Sequence, residues 1–524
     1  MKIQIRKRYL VFPVNVLASK KKIAFLDDEK SVYELMVSID NISPNFSAYV
    51  DVSRFIGKTL ELTVEPAMEI NYEEADEMNV EGLYNEPFRP QVHFTTRNGW
   101  INDPNGLIYL DGIYHMFYQH NPCAPEWGNM HWGHATSPDL IHWTEEEIAL
   151  YPDATGMMYS GSGILDTENL SGLGTKDAPP ALLYYTATEP FSQHLAYSKD
   201  GFKTITKYEG NPILPNIEKL NRDPKVVYCE EWNAYLMALY LEKDIYALFK
   251  SVDLLSWELV QRISLVGDNE CPDIFHITAS DGSRKWVFMG AHNRYLVGTM
   301  DRDGFTPDQE TRTLHYGTSA YAGQTFSGMP DGRIVRMEWD RCLTTVGLGA
   351  FRSQMSIPTE LTLHKSEDVY YLSALPIREI ECLYNETQSY NSVTVDKSNT
   401  VKYKLSKAPY HIKLKIDDFK SAPQLTVKVF GRDLEINPGE NEISFAKEII
   451  PLSITQNNID ITLVIDRCSI EMFLDGGRIY ASYLNNASIS DYNVPYLELR
   501  SSENITIDHL ELTSLKSIWN EKNQ

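Results

Sequence analysis

Short alternations of apolar and polar residues run through most of the chain, and they predict strands rather than helices. Near the start, Lys22-Ile23-Ala24-Phe25-Leu26 and Leu60-Glu61-Leu62-Thr63-Val64 alternate between turns, so residues 1–85 read as a small N-terminal β domain. The acidic run Glu73-Glu74-Ala75-Asp76-Glu77 is expected to be a linker solvated by its own charge. From residue 86 to 365 the strand signals fall into a repeat. Ser137-Pro138-Asp139-Leu140-Ile141-His142-Trp143 is echoed by Ser251-Val252-Asp253-Leu254-Leu255-Ser256-Trp257, and more weakly around Asp200 and Asp303. These aspartates are 61, 53 and 50 residues apart. Apolar runs such as Ile113-Tyr114-His115-Met116-Phe117-Tyr118 and Lys285-Trp286-Val287-Phe288-Met289 precede three of the units, and Asp111-Gly112 before the first is a hairpin signal. A strand-built repeat of this length predicts the blades of a propeller, with room for five, although a plain series of hairpins would give a similar pattern. Residues 390–524 alternate without the repeat and read as a β-sandwich. The expected fold is therefore all-β: a small N-terminal domain, a five-bladed propeller and a sandwich.

Composition narrows the function more than the fold. A length of 524 residues calls for more than one core. A formal net charge of -24 leaves no basic surplus to neutralise phosphates, which argues against nucleic acid as a partner and favours a neutral substrate. Cys123, Cys229, Cys271, Cys342, Cys382 and Cys468 are scattered without a CxxC pair, so neither a zinc site nor a disulfide framework is expected, and no metal or other cofactor is called for. No apolar run is long enough to span a membrane. The basic start followed by Leu10-Val11-Phe12 imitates a signal peptide, but Pro13, Asn15 and Lys20-Lys21-Lys22 break the pattern. A strand in a cytoplasmic protein is the expectation.

Polar residues in unusual company recur at the blade period. Counting Asp103, Ser160, Asp223, Glu270 and Tyr321, the steps are 57, 63, 47 and 51 residues. Equivalent positions in successive blades converge on the propeller axis, so three carboxylates distant in sequence would share one pocket. Glycoside hydrolysis needs such a set, with one carboxylic acid to protonate the leaving oxygen and one carboxylate to attack or to activate water. A lone Asp or Glu is more often a turn former, and Asp103 and Asp223 both precede proline, which by itself marks only an extended strand end. The coincidence with the repeat is what points to catalysis.

These stretches also carry a family resemblance. Trp100-Ile101-Asn102-Asp103-Pro104-Asn105-Gly106 resembles the signature of glycoside hydrolase family 32, which comprises invertases, levanases and inulinases. Arg222-Asp223-Pro224 and Glu270-Cys271-Pro272-Asp273 resemble its second and third motifs in the same order, and Val464 to Phe473 resembles its sandwich domain. The resemblance implies a retaining hydrolase of β-fructofuranosyl linkages in sucrose, inulin or levan. It makes Asp103 the nucleophile, Glu270 the acid/base and Asp223 the group that holds fructosyl hydroxyls. Asn102, Gln119, Trp127, Ser160 and Arg222 would line the same subsite, with Trp339 a weaker candidate. On that reading Arg222 keeps Asp223 ionised and Glu270 has a raised pKa. His315 stands where the family usually shows Asp, which leaves the blade-five contacts open. Rival readings are a fructosyltransferase, an arabinan-type propeller glycosidase that inverts, and a non-catalytic sugar-binding propeller.

Overall fold

The computed structural model describes residues 1–524 except 80–81, 342–349, 407–408, 431, 446–447, 453–456, 485–495 and 520–524. Among the described residues the elements are strands and a few 3-10 turns. Five antiparallel sheets follow one another around a ring, with inner strands Gly99–Leu110, Met158–Leu165, Arg222–Cys229, Asp273–Thr278 and Ala320–Thr325. Each inner strand lies against the next, and the last returns to the first. Phe351 and Arg352, between two strands of the fifth blade, pair in parallel with Gly99 and Trp100, which adds a short strand to the first blade. Gly99 belongs at that seam: its φ is +79°, and a Cβ there would lie 2.1 Å from the Asn121 carbonyl.

The repeat seen in the sequence is a turn device. In three blades the third strand ends in Ser, and the Asp two residues on caps the turn to the fourth. Asp139 accepts from the Ile141 and His142 amides, Asp200 from Thr204, and Asp253 from Leu255 and Ser256. In the fourth blade the capping carboxylate is Asp301 rather than the expected Asp303, since Asp301 accepts from the Asp303 and Gly304 amides.

Three boundaries differ from the sequence reading. Residues 73–75 form a strand paired with Tyr9–Val14 instead of a free linker, because an edge strand needs only its backbone and leaves acidic side chains in water. The fifth blade continues past residue 365 to Pro376, since its outer strand Val369–Pro376 carries no repeat motif. The sandwich starts at Tyr384, ahead of residue 390, and it borrows His315–Gly317 from the propeller as an edge strand.

The sandwich packs a seven-stranded sheet on a six-stranded one around Ile412, Leu463, Val427 and Leu499. Its junction with the propeller is tied by a buried charge cluster. His93 contacts Asp466 (2.8 Å) and Glu471 (3.0 Å), Asp466 accepts from the Gln91 and Val92 amides, and Glu471 accepts from the Ile357 amide and the Tyr480 hydroxyl. At the other end, the N-terminal domain closes its core over Cys123 and Tyr151 of the propeller.

Candidate active site

The inner strands carry a recurring irregularity. Register shifts occur at Ile101/Pro104, Tyr159/Gly161, Arg222/Lys225 and Tyr321/Gln324, so four of the five inner ladders break at the same level. A bulge of this kind re-aims the side chain beside it. Left-handed backbone occurs at two of the breaks, at Asp223 (φ 66°) and Ala322 (φ 54°), and just ahead of the unbroken fourth inner strand, at Glu270 (φ 56°) and Cys271 (φ 35°). Non-glycine residues hold that conformation at a cost, and such residues cluster where a side chain must be presented. Here the presented groups are carboxylates.

They meet in a pocket of about 360 Å³ at the blade ends, lined by Asp103, Asp223 and Glu270 together with Asn102, Gln119, Trp127, Ser160, Arg222 and Trp339. Every site residue expected from the sequence thus faces the same cavity. Asp103 accepts from the Ser160 hydroxyl (2.6 Å) and the Asn102 amide (3.1 Å). Asn102 is itself fixed by the Trp100 indole N–H. Gln119 donates to the Met158 carbonyl, so its carbonyl end is left for a ligand. The Cys271 thiol touches both Asp103 and Asp223, at 3.5 Å each, and burial pushes its pKa well up. It is a packed neutral side chain between two acids and not a nucleophile.

The electrostatics reverse the expectation for two residues. Arg222 donates through one terminal nitrogen to Glu270 and through the other to the Leu220 carbonyl, and only its Nε comes near Asp223, at 3.7 Å. Tyr321 donates a second hydrogen bond to Glu270. Burial raises the Glu270 pKa, but these two partners outweigh it and hold the carboxyl below its ordinary value. Asp223 is instead lifted to about 7, by burial first and then by the Glu270 and Asp103 charges, with Arg222 offsetting only part. Asp103 is also raised, chiefly by burial, against its bonds from Ser160 and Asn102. One guanidinium cannot serve three carboxylates, and the free pocket gives it to Glu270.

Residues 93–374 match the family model for the glycosyl hydrolases family 32 N-terminal domain. The chain belongs to glycosyl hydrolase family 32. Among family 32 relatives, a levanase of Bacillus subtilis is 30% identical over 494 residues, covering 83% of this chain and 72% of that protein. A fructan beta-fructosidase of Streptococcus mutans is 31% identical over 493 residues, covering 83% of this chain but only 33% of its own length. The crystal structure of an exo-inulinase from Aspergillus awamori superposes with a TM-score of 0.75 at 24% identity, over 83% of this chain and 100% of that one. It shares the five-bladed propeller followed by a sandwich.

Within this family 32 pocket, several residues had no signal strong enough to single them out as site residues. Tyr321 was marked only by its place in the repeat. Tyr159, Phe191 and Leu220 complete the wall, and Asp268 pins the turn before Glu270 by accepting from the Asn269, His292 and Arg294 amides. Of the two tryptophans near the first blade, Trp132 is fully buried core, whereas Trp127 is 49% exposed at the pocket mouth. His315 does not reach the pocket: it bonds Glu338 and Ser482 at the junction with the sandwich. One grouping of metal-ligating type occurs among the described residues, Asp139 with His142 and Cys382, and none of the three lines the pocket.

Proposed function

We propose that this enzyme removes terminal β-fructofuranosyl units from sucrose or fructans with retention of configuration. One observation carries the reading: Asp103, Asp223 and Glu270 open into a single pocket with Arg222 between the last two. Asp103 attacks the anomeric carbon and forms a fructosyl ester, while Glu270 delivers a proton to the departing oxygen. Water then takes the place of the leaving sugar, with Glu270 as its base. Asp223 accepts hydrogen bonds from ring hydroxyls, which it does best when ionised. In the free pocket the proton taken up near pH 7 sits on Asp223. The Glu270 and Asp103 charges both raise Asp223, so the three acids work as one titrating set.

Two features support cleavage at chain ends. The cavity of about 360 Å³ lies at the small end of ligand sites, with room for one or two sugar rings and not for a length of polymer. Asp223 is also buried while Trp127 is exposed, which sets that acid deeper than the aromatic wall. The names of the levanase and fructan beta-fructosidase relatives support fructans as the substrate class. Incubation with sucrose, inulin and levan tests the reading. Free fructose is expected as the first product, with its anomeric configuration retained by NMR. A ladder of oligomers would point to internal cleavage, and inverted fructose would remove Asp103 as nucleophile. Transfer to sugar acceptors uses the same intermediate, and the ratio of free fructose to longer oligomers at high sucrose measures it.

A further inference from the structure

The pocket wall that contains Trp127 is held from outside the catalytic domain. Trp127 packs edge-on against Tyr159 (6.3 Å between centroids), and Tyr159 packs edge-on against Phe191 (5.8 Å), which makes a continuous aromatic face on one side of the mouth. The chain beneath Trp127 turns sharply. Gly128 has φ +151°, and Asn129 has φ 45°. Within the propeller this turn is held by Asn121, which donates to the Glu126 carbonyl and accepts from Cys123 and Asn129.

Its other supports come from the N-terminal domain. The Asn129 side chain clamps the backbone of Met36 at both ends, accepting from its N–H (2.6 Å) and donating to its carbonyl (2.9 Å). Tyr33 places its hydroxyl 2.7 Å from His131, just past the turn. The Lys20 ammonium pairs with Glu126 at 3.0 Å, one residue before Trp127. A Cβ built on Gly128 would lie 3.7 Å from that same ammonium. Cys123 at the start of the loop is buried in the N-terminal core. Tyr33 and Arg54 also pack on Tyr151, so the domain is seated firmly enough to act as a fixed support. The contacts bracket Trp127 on both sides, at 126 and at 129–131, and none of them involves Asp103, Asp223 or Glu270.

We infer that the N-terminal domain is a specificity element of the pocket, positioning Trp127 through Met36, Tyr33 and Lys20 for the sugar bound at the mouth. This rests on the fructosidase reading. Because the clamp acts through a wall and not through the reacting atoms, loosening it weakens substrate binding and leaves the chemical step alone. A residue whose contacts are equal in the ground and transition states changes KM and not kcat.

The test is steady-state kinetics of the full chain on sucrose and inulin. Asn129→Ala removes the clamp on Met36 together with the bond to Asn121, and KM is expected to rise about tenfold with kcat within about twofold. Lys20→Glu, a surface change that leaves the core intact, should raise KM about threefold, and Lys20→Glu with Glu126→Lys should restore it. In a Trp127→Ala background Lys20→Glu should have no further effect, since the wall it positions is gone. An unchanged KM in both single variants, or a Lys20 effect that persists without Trp127, overturns the inference while the fructosidase reading stands. A wild-type protein that releases no fructose from any of these sugars overturns both.

Discussion

At the junction of propeller and sandwich, two carboxylates share one base, His93, and every oxygen that faces inward meets a donor. In the pocket, Glu270 and Asp223 compete for one base, Arg222, and Asp223 is left short, while Asp103 relies on Ser160 and Asn102. The titration of the two clusters follows from that count. His93 is raised to about 10, since its two carboxylate partners overcome the burial that would lower it, and Asp466 is held below its ordinary value against burial by His93 and the amides. In the pocket Asp223 is driven up to about 7. Burial is common to both. What separates a clamp from a reactive centre here is the ratio of donors to acids, and the pocket keeps unspent acceptor capacity that a sugar can fill.

The comparison can be broken at several points. Asp103→Asn keeps the shape of the pocket and removes its nucleophile, so turnover should fall by at least about 10³-fold with no loss of thermal stability. A variant within tenfold of wild type would remove Asp103 from that role. Glu270→Ala should cost roughly 10²- to 10⁴-fold with sucrose and much less with an aryl fructoside, whose leaving group needs little protonation. A burst of aryl alcohol followed by slow turnover is expected, and equal losses on both substrates would make Glu270 a binding residue. His93→Gln attacks the other cluster. It strands two buried carboxylates and should destabilise the protein by about 3–5 kcal/mol in denaturant unfolding, with kcat of the folded fraction unchanged.

The smallest effect discriminates best. Asp223 has a folded pKa of about 7, above the ordinary 3.8, so the folded state binds more protons between those values. Its penalty therefore grows as pH rises through that window and is complete above about pH 7. Asp223→Asn removes it, and Tm at pH 8 should rise by roughly 2 °C although activity is lost. For His93 the pH trend runs the same way, but the interaction stabilises instead of penalising. Its stabilisation is complete below about pH 6.5 and fades as pH climbs towards 10, and His93→Gln should lower Tm most in the acidic part of that range. Equal Tm changes in the two variants, or a fall for Asp223→Asn at pH 8, would dissolve the distinction between the clusters.

The catalytic carboxylates were legible because each sits in a local motif at a fixed blade position, Asp103 and Asp223 before proline and Glu270 before Cys-Pro. The blades were legible because Asp139, Asp200 and Asp253 cap turns within five residues of themselves. What stayed hidden depends on contacts across the ring. Nothing near Glu270 in the sequence announces that Tyr321 and Arg222 will both donate to it, and so its depressed pKa could not be read from the motif. Arg222 next to Asp223 in sequence pointed to the wrong partner, because the ladder breaks between Arg222 and Lys225 and Asp223 lies in left-handed backbone, which the sequence does not announce. The paired strand at Glu73–Ala75 was masked by its own acidity.

The parallel pairing of Phe351 and Arg352 with Gly99 and Trp100 sets an order in time as well as in space. The strand that bears Asp103 leaves the ribosome about 250 residues ahead of the segment that covers its free edge. At about 5–20 residues per second that interval is roughly 13–50 s. Asp223 and Glu270 are added within that interval, while Gly99 and Trp100 of the first blade still lack their parallel partner. A polysome translating this message thus displays many copies of the same unpaired edge at once. Chaperone binding confined to nascent chains that end before Phe351, and released once Arg352 has emerged, is the in-cell signature of a ring that has not yet shut.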